Sequence, residues 1–427
     1  MSPTTRRALL LVWSLLAIAL IVRAVDRKPH RGVIVDHLEF GRRLLQGHDP
    51  YAPWHSDPDA PERPLHAPYP PSFGLLTAPF AVLADVAGLR AARAAWGLLQ
   101  VGALVALFGA LRRLGLGRAP PSPSAMHALF LLALLLGSRF VLRDMHGGGG
   151  NLLNLGLCTL AFALAERGQT ARGGWLLGLS LATKPTQVWL LPIFLLLGHW
   201  RSVRHALLAG AVAIAASVAL LRGDLAPWWR WLSGSWALAS QTDAFAVPAA
   251  GFPEFEWMNQ ALRCAIARWL GDVPPEFAAR VALAPPRGLG LDPTLVTWCT
   301  RLLALTAFGV VAAAAWRARR EPASATSRTW VLAAAFVLSV LLSPLSWKAH
   351  HVALLPVFVL LLQQGREQSS PRPAWLLLAA MLAFSGIGGE ILGDDVAEVA
   401  NSLYLVTACD VALLLVTVFA SRRRAAT

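Results

Sequence analysis

Nine ionisable side chains stand where so apolar a chain has least reason to carry them: Asp36, Asp49, Arg143, Asp144, His146, Lys184, Lys348, His350 and His351. Charges beside or inside membrane-length apolar runs are costly, so they mark a site by default. Their chemistry divides in two. Asp36 opens an amphipathic stretch just beyond the first apolar run, where a carboxylate meets the headgroup layer. A general base needs that position if a hydroxyl arrives from water and a lipid-borne reactant arrives from the bilayer. An ordinary helix cap is the competing reading of Asp36. Lys184, in the string ATKPTQ, is one of three lysines among 38 Lys and Arg. At a helix break it is placed to neutralise a phosphate, or to snorkel to the interface. Lys348, His350 and His351 share the turn LLSPLSWKAHHVALLP. With a Lys just before the two His and no carboxylate nearby, they suit a phosphate better than a metal. The four cysteines are scattered without CxxC or CxxH spacing, so no metal site and no disulfide framework is expected.

The elements that carry these residues are read from hydropathy. Of the 427 residues 56% are hydrophobic and 15% charged, and the apolar runs are 15 to 22 residues long with Arg-bearing breaks between them. That is the spacing of a bilayer, and it excludes a soluble enzyme, a fibrous protein and a disordered tail. Spans are predicted at about 8–24, 91–111, 124–142, 151–165, 205–221, 294–316, 329–345, 350–364, 374–389 and 400–420. The stretch 173–199, broken at Lys184-Pro185, counts as two more, for about 12 in a single all-α polytopic unit covering 1–427. The first span lacks a small-x-small cleavage site and reads as a retained anchor. Residues 72–84 are too short to cross and contain Pro79, so they are placed in the interface. The breaks at 1–7, 112–122, 166–172, 199–204, 317–328, 365–373 and 421–427 then share one side, with 18 of the 38 basic residues and three of the 24 acids. By the positive-inside rule that side is cytoplasmic, in a multi-pass cell-membrane protein with both termini inside. The formal net charge of +14 is therefore an orientation signal, and no nucleic-acid partner is expected.

Two large segments lie on the opposite side, 25–90 and 222–293. In the first, residues 35–46 form a juxtamembrane amphipathic helix stopped by Gly47, and Asp49-Pro50 begins a turn. Ala67 to Pro71 (APYPP) reads as a rigid, extended strap. The second segment holds six Trp, at 228, 229, 231, 236, 257 and 269. Most belong to an interfacial belt, and one or two could stack on a sugar ring. A membrane transporter or flippase for a lipid-linked or anionic substrate is the rival use of the same polar residues. It predicts ionisable groups near the midplane and on both faces, whereas Asp410 is the one acid deep inside a span.

The order D-x₁₂-D-P-Y, Y-P-P, G-x-x-N, K-P, N-Q and SPxSW resembles the polytopic GT-C glycosyltransferases of family 87, which include polyprenol-phosphate-mannose-dependent mannosyltransferases and related arabinofuranosyltransferases. The matching residues are Asp36 with Asp49-Pro50-Tyr51, Tyr69-Pro70-Pro71, Gly148 to Asn151, Lys184-Pro185, Asn259-Gln260 and Ser343 to Trp347. Gly149 stands where the family commonly has Gln, and Ala261 where Ser often follows N-Q. The resemblance implies a GT-C-like bundle and an inverting transfer outside the cytoplasm, facing the periplasm or cell exterior. The donor would be a polyprenyl-phosphate sugar, mannose ahead of arabinofuranose, and the acceptor a lipid or glycan among the membrane lipids. It implies Asp36 as base and Lys184, His350, His351 and Lys348 as seat of the donor phosphate. Asp49, Tyr51, Tyr69, Asn151, Asn259, Gln260 and Trp347 would contact substrate. No cofactor or metal is called for, because side-chain cations can match a lipid phosphate.

Overall fold

The structure, a computed structural model, describes residues 2–26, 32–53, 69–117, 120–240, 257–275, 288–320, 325–367, 372–382 and 393–423. These residues are all-helical: α1 Pro3–Val25, α2 Val33–Gln46, α3 Phe73–Ala87, α4 Leu89–Leu111, α5 Pro123–Leu136, α6 Ser138–Gly147, α7 Asn151–Glu166, α8 Thr170–Thr183, α9 Leu190–Leu196, α10 Trp200–Leu220, α11 Ala226–Ser240, α12 Leu262–Leu270, α13 Pro293–Arg320, α14 Ala325–Leu342, α15 Leu355–Glu367, α16 Arg372–Met381, α17 Asp394–Ser402 and α18 Leu405–Arg423. Two 3₁₀ turns, Pro185–Gln187 and Lys348–Leu354, interrupt the bundle at the site.

Apolar residues surround α14 and α15 on every side, and both are buried along nearly their whole length. A helix apolar all round needs helices as neighbours, and these two form the axis of the bundle. By contrast, α1 and α13 are long and apolar but only 11% of their most apolar windows are buried, so they present their flanks outward to lipid.

The count of twelve spans is not confirmed. Among the described residues five helices are long and apolar enough to cross, and up to eight segments if each of three bent pairs counts as one. The stretch 173–199, read as two spans, is one bent pair turning by 117° at Lys184. Pro185 lacks an N–H for helix pairing and Lys184 is extended, so α8 ends there. The run 124–142 bends by 70° at Gly137, which the hydropathy pattern did not reveal. Helix α18 is set at 58° to α17, with Tyr404 between them at φ 54°. The predicted span 350–364 starts as a 3₁₀ turn and leaves 13 helical residues, about 20 Å, against a hydrocarbon core of about 30 Å. Helix α7 has 16 residues, and α16 has 10. Residues 383–389 of the span predicted at 374–389 lie outside the described residues, as do Ala67 and Pro68 of the proline-rich strap. The segment 222–293 contains α11 and α12.

Five of the seven basic breaks meet at one end of the bundle. Glu166 accepts from His199 at 2.7 Å and from Arg328 Nε at 2.8 Å, joining three breaks. Thr326 donates to the Gly117 carbonyl at 3.1 Å, and Gly117 packs against Glu367. Helices α7, α8 and α14 each run from or to that end. Asn151, Lys184 and the 343–351 turn therefore gather at the other.

The juxtamembrane helix behaves as its pattern demands. It spans Val33–Gln46, and Gly47 ends it at φ 72°, a left-handed conformation that favours glycine. Its apolar face packs on α3, where Gly41 lies so close to Thr77 and Ala78 that an added Cβ would stand 2.6 Å from the Ala78 nitrogen. At 15 residues α3 is about 22 Å long, short of a crossing.

Candidate functional site

The site is organised around Lys184, which is 4% exposed. Its ammonium donates to the carbonyl of Gly149 at 2.6 Å and lies 3.5 Å from the Tyr69 hydroxyl, 5.1 Å from the centre of that ring. The charge is balanced by Asp144, a fully buried carboxylate in its electrostatic reach. Asp144 in turn accepts from the backbone of Asn151 and Leu152, at 3.2 and 2.9 Å, and from the Asn151 amide at 2.6 Å. With its amide turned toward Asp144, Gln100 donates at 2.9 Å and accepts from the Trp96 indole at 3.2 Å. Asp144 thus caps α7 while holding a cation nearby, the arrangement a buried charge needs. The break at Lys184 is secured by Asn154, which donates to the Lys184 carbonyl at 3.1 Å and to the Thr186 hydroxyl at 2.7 Å.

The first outer segment closes over this cation. Ser72 donates to the Ala182 carbonyl at 2.5 Å, pinning the segment to the last turn of α8. Tyr69 stacks on Phe73 at 4.3 Å, and its carbonyl accepts from the Tyr51 hydroxyl at 2.6 Å. Asp49 accepts from the Tyr51 N–H at 2.9 Å and pairs with Arg230 of α11. Arg43 reaches the Ala52 and Pro53 carbonyls, tying the same turn to α2. Asp36 sits half-buried in the first turn of α2, and its charge acts on Tyr69. Burial, then the carboxylates of Asp144 and Asp36, push the Tyr69 phenol up, so it stays a neutral hydroxyl. Next to Asp36, His37 is buried between Tyr69, Phe73 and Trp96, with ring centres 5.1, 4.7 and 5.9 Å away. Its ring nitrogens have no hydrogen-bond partner of good geometry, and the Gly148 backbone is a polar neighbour. Burial first, and the Lys184 charge second, hold this imidazole well below its ordinary value.

The third wall is the turn after α14. His350 Nδ1 accepts the Trp347 N–H at 3.0 Å, which in a neutral ring places the proton on Nε2 as a donor. His350 lines a small cavity with Asn151, Thr186, Gln187, Ser339 and Ser343, and it feels the Lys184 charge. His351 is engaged elsewhere. Its Nδ1 is 3.1 Å from the Trp347 carbonyl, which can only accept, and its Nε2 is 3.0 Å from Asp410 in α18. Both partners are fully buried, so one shared proton holds the turn to α18. Lys348 opens the turn, with Arg139 and Arg143 of α6 as its charged neighbours.

Asn259 and Gln260 brace the turn from outside. Asn259 accepts from the Ser346 N–H at 2.8 Å and donates to the Pro344 carbonyl at 3.2 Å. The Gln260 N–H donates to the Ser346 carbonyl at 2.8 Å, and its amide to the Trp257 and Asn401 carbonyls at 2.6 and 3.0 Å. Every polar atom of these two side chains is thus engaged with the chain itself.

Of the residues singled out by sequence, the fold joins Asp36, Tyr69, Lys184, Asn151 and His350 into one contiguous region. Asp49, Tyr51, Asn259 and Gln260 act as its supports, Trp347 contributes its backbone, and His351 and Lys348 face other partners. Asp144, His37, Gln100 and Asn154 had no assigned role, although a Gln in the 91–111 run and an Asn in the 151–165 run were legible as out of place. Among the described residues no three His, Cys, Asp or Glu stand together as a metal would require. Chemically, the region offers a half-buried carboxylate and a buried ammonium that both act on a neutral phenol, and an imidazole N–H that feels the same ammonium.

Residues 67–344 match Glycosyltransferase family 87. The chain is also 26% identical, over 79% of its length and 71% of the relative's, to a polyprenol-phosphate-mannose-dependent alpha-(1-2)-phosphatidylinositol mannoside mannosyltransferase of Mycolicibacterium smegmatis (strain ATCC 700084 / mc(2)155). No solved structure matches it.

Proposed function

The chain belongs to glycosyltransferase family 87 and is a multi-pass membrane glycosyltransferase, and on that premise we propose that it moves mannose from a polyprenyl-phosphate donor to a lipid or glycan acceptor on the extracytoplasmic face. Asp36 is the general base. The acceptor hydroxyl attacks the anomeric carbon, its proton passes to the Asp36 carboxylate, and the bond from that carbon to the phosphate oxygen breaks. The configuration inverts in this single displacement. Negative charge that gathers on the leaving polyprenyl phosphate is met by the Lys184 ammonium and the Nε2–H of His350, donors fixed before the reaction begins. Tyr69, held as a neutral hydroxyl, is a neighbour of both the base and the cation.

The observation that carries this reading is that Asp36 and Lys184 both act on Tyr69. They lie far apart in the chain and are brought together by a loop strapped to α8 through Ser72. The relative's name adds a polyprenol-phosphate-mannose donor and suggests a phosphatidylinositol mannoside as acceptor. The extracytoplasmic face is supported by the gathering of the basic breaks at the opposite end of the bundle.

The test is transfer of radiolabelled mannose from polyprenyl-phosphate mannose by purified protein, wild type against Asp36→Asn. A fall of about 10²–10⁴-fold in kcat is expected on loss of a general base. Undiminished transfer by the variant would remove Asp36 from that role. A reporter fused within 112–122 that reads as exterior would reverse the sidedness.

A further inference from the structure

A second group of cations stands at the same end of the bundle and has no part in the chemistry above. Arg139 and Arg143 are one turn apart on α6, beside the buried stripe of Phe140 and Asp144. That stripe packs on the 3₁₀ turn, where the Phe140 ring lies 5.2 Å from the His351 ring. The packing sets α6 in register with Lys348 at the start of the turn. Burial, then the charges of Arg139 and Arg143, push the Lys348 ammonium down to about 8. Asp394 at the start of α17 acts on Arg139. Neither Arg143 nor Lys348 makes a hydrogen bond or an ion pair among the described residues. Arg143 and Lys348 repel each other and Arg139, whose charge Asp394 offsets in part, and an anion seated among them relieves that cost.

The flanks of the cluster say what kind of anion. On α5 and α6, Leu132, Leu135 and Leu142 are 45%, 62% and 41% exposed. Leucines open to the outside beside arginines make an amphipathic surface that suits an acyl chain below a charged headgroup. Lys348 and His350 belong to the same turn but have different charged neighbours, Arg139 and Arg143 for one and Lys184 for the other. Residues two apart in a 3₁₀ turn project about 120° from each other, which accounts for the separation. One short turn therefore serves two anion seats.

We propose that Arg139, Arg143 and Lys348 bind the phosphodiester of a glycerophospholipid acceptor, beside the donor phosphate at Lys184 and His350. This assignment rests on the mannosyl-transfer reading for its acceptor, but lipid binding itself does not depend on transfer. A phosphodiester anchored there presents its headgroup hydroxyls next to the donor and keeps its acyl chains in the bilayer.

The experiment has a binding arm and a kinetic arm. Wild type, Arg143→Gln/Lys348→Gln and the charge-keeping Arg143→Lys/Lys348→Arg are purified into phosphatidylcholine nanodiscs with a minor fraction of phosphatidylinositol. Retained lipid is then read by native mass spectrometry. Phosphatidylinositol enrichment is expected in wild type and in the charge-keeping variant, and a loss of about tenfold in the Gln variant, as removal of two charge-assisted contacts implies. In the kinetic arm the Gln variant raises KM for a phosphatidylinositol-based acceptor by about the same factor. KM for the donor, and transfer to an alkyl mannoside without phosphate, stay unchanged. Equal phosphatidylinositol enrichment in all three proteins overturns the proposal. So does a rise in donor KM, which would return the cations to the donor site, or full competition by inorganic phosphate, which would make the ligand a free ion. Loss of transfer in every protein, with enrichment kept in wild type and the charge-keeping variant and lost in the Gln variant, would sink the mannosyl-transfer reading and leave the lipid seat standing.

Discussion

The Lys184 ammonium lies 3.5 Å from the Tyr69 hydroxyl, so the broken helix and the first outer segment meet at one charged atom. Neither element makes a site alone. The break presents a buried cation to the segment, and the segment adds a carboxylate and covers the cation with Tyr69. Lys184→Gln is therefore expected to lower kcat/KM for polyprenyl-phosphate mannose by about 10²–10³-fold, the loss typical of one fixed donor at a developing charge. Lys184→Arg should restore little, because the planar guanidinium does not fit the single carbonyl and phenol that receive the ammonium. Transfer kinetics with a fixed acceptor concentration measure both. Wild-type rates in Lys184→Gln would remove the cation from the mechanism.

Asn259 predicts a different signature. It bridges Ser346 and Pro344 and touches the site only through the turn it holds. Asn259→Ala leaves the buried Ser346 N–H short of a partner, at about 1–3 kcal/mol, and frees the part-buried Pro344 carbonyl. The expected result is a lower melting temperature and a lower kcat, with donor KM little changed. A rise in donor KM at wild-type stability would instead make Asn259 a substrate contact.

His351 and Asp410 should behave as a unit. Removing one member of a buried pair strands the other, at about 3–5 kcal/mol, whereas replacing both with apolar side chains of similar volume is often near neutral. His351→Leu and Asp410→Leu are each expected to lower the melting temperature sharply, and the double variant to recover most of it. A double-mutant cycle in detergent checks this. Additive losses would mean that the two do not interact. His350→Leu, by contrast, should raise donor KM at little cost in stability.

His37 supplies a pH dependence. Its ring stays neutral in the fold because burial disfavours the charged form, while in the unfolded chain it titrates near ~6.5. Below that value the unfolded chain binds a proton that the native state does not. The contribution of the neutral ring is therefore fully present above about pH 6.5 and is lost progressively as the pH falls below it. Thermal melts at pH 7.5 and 5.5 should show a larger loss for wild type than for His37→Phe, which keeps an aromatic ring in the cluster. Equal losses would show that His37 is not the titrating group.

By itself the sequence determined the class of the molecule and much of its punctuation. Runs of apolar residues fix a helical membrane protein because a bilayer leaves no other use for them. The 3.6-residue pattern of Val33–Gln46 followed by Gly47, and Pro185 after Lys184, place a surface helix and a helix break for local steric reasons. The charge bias of the breaks assigned them to one side, and the fold brings Glu166, His199 and Arg328 together there. What depends on partners distant in the chain was not legible. His350 and His351 are adjacent and identical in type, and only the approach of Asp410 in α18 decides which one remains for the site. Asn259 and Gln260 read as substrate contacts from the sequence, whereas in the fold the Asn259 side chain bonds to the 343–347 turn and the Gln260 side chain to Trp257, Asn401 and Thr407. The count of about twelve spans is not confirmed, because hydropathy measures apolar length alone. Whether a run stays one straight helix depends on bends such as Gly137 and Tyr404, which tertiary packing alone sustains.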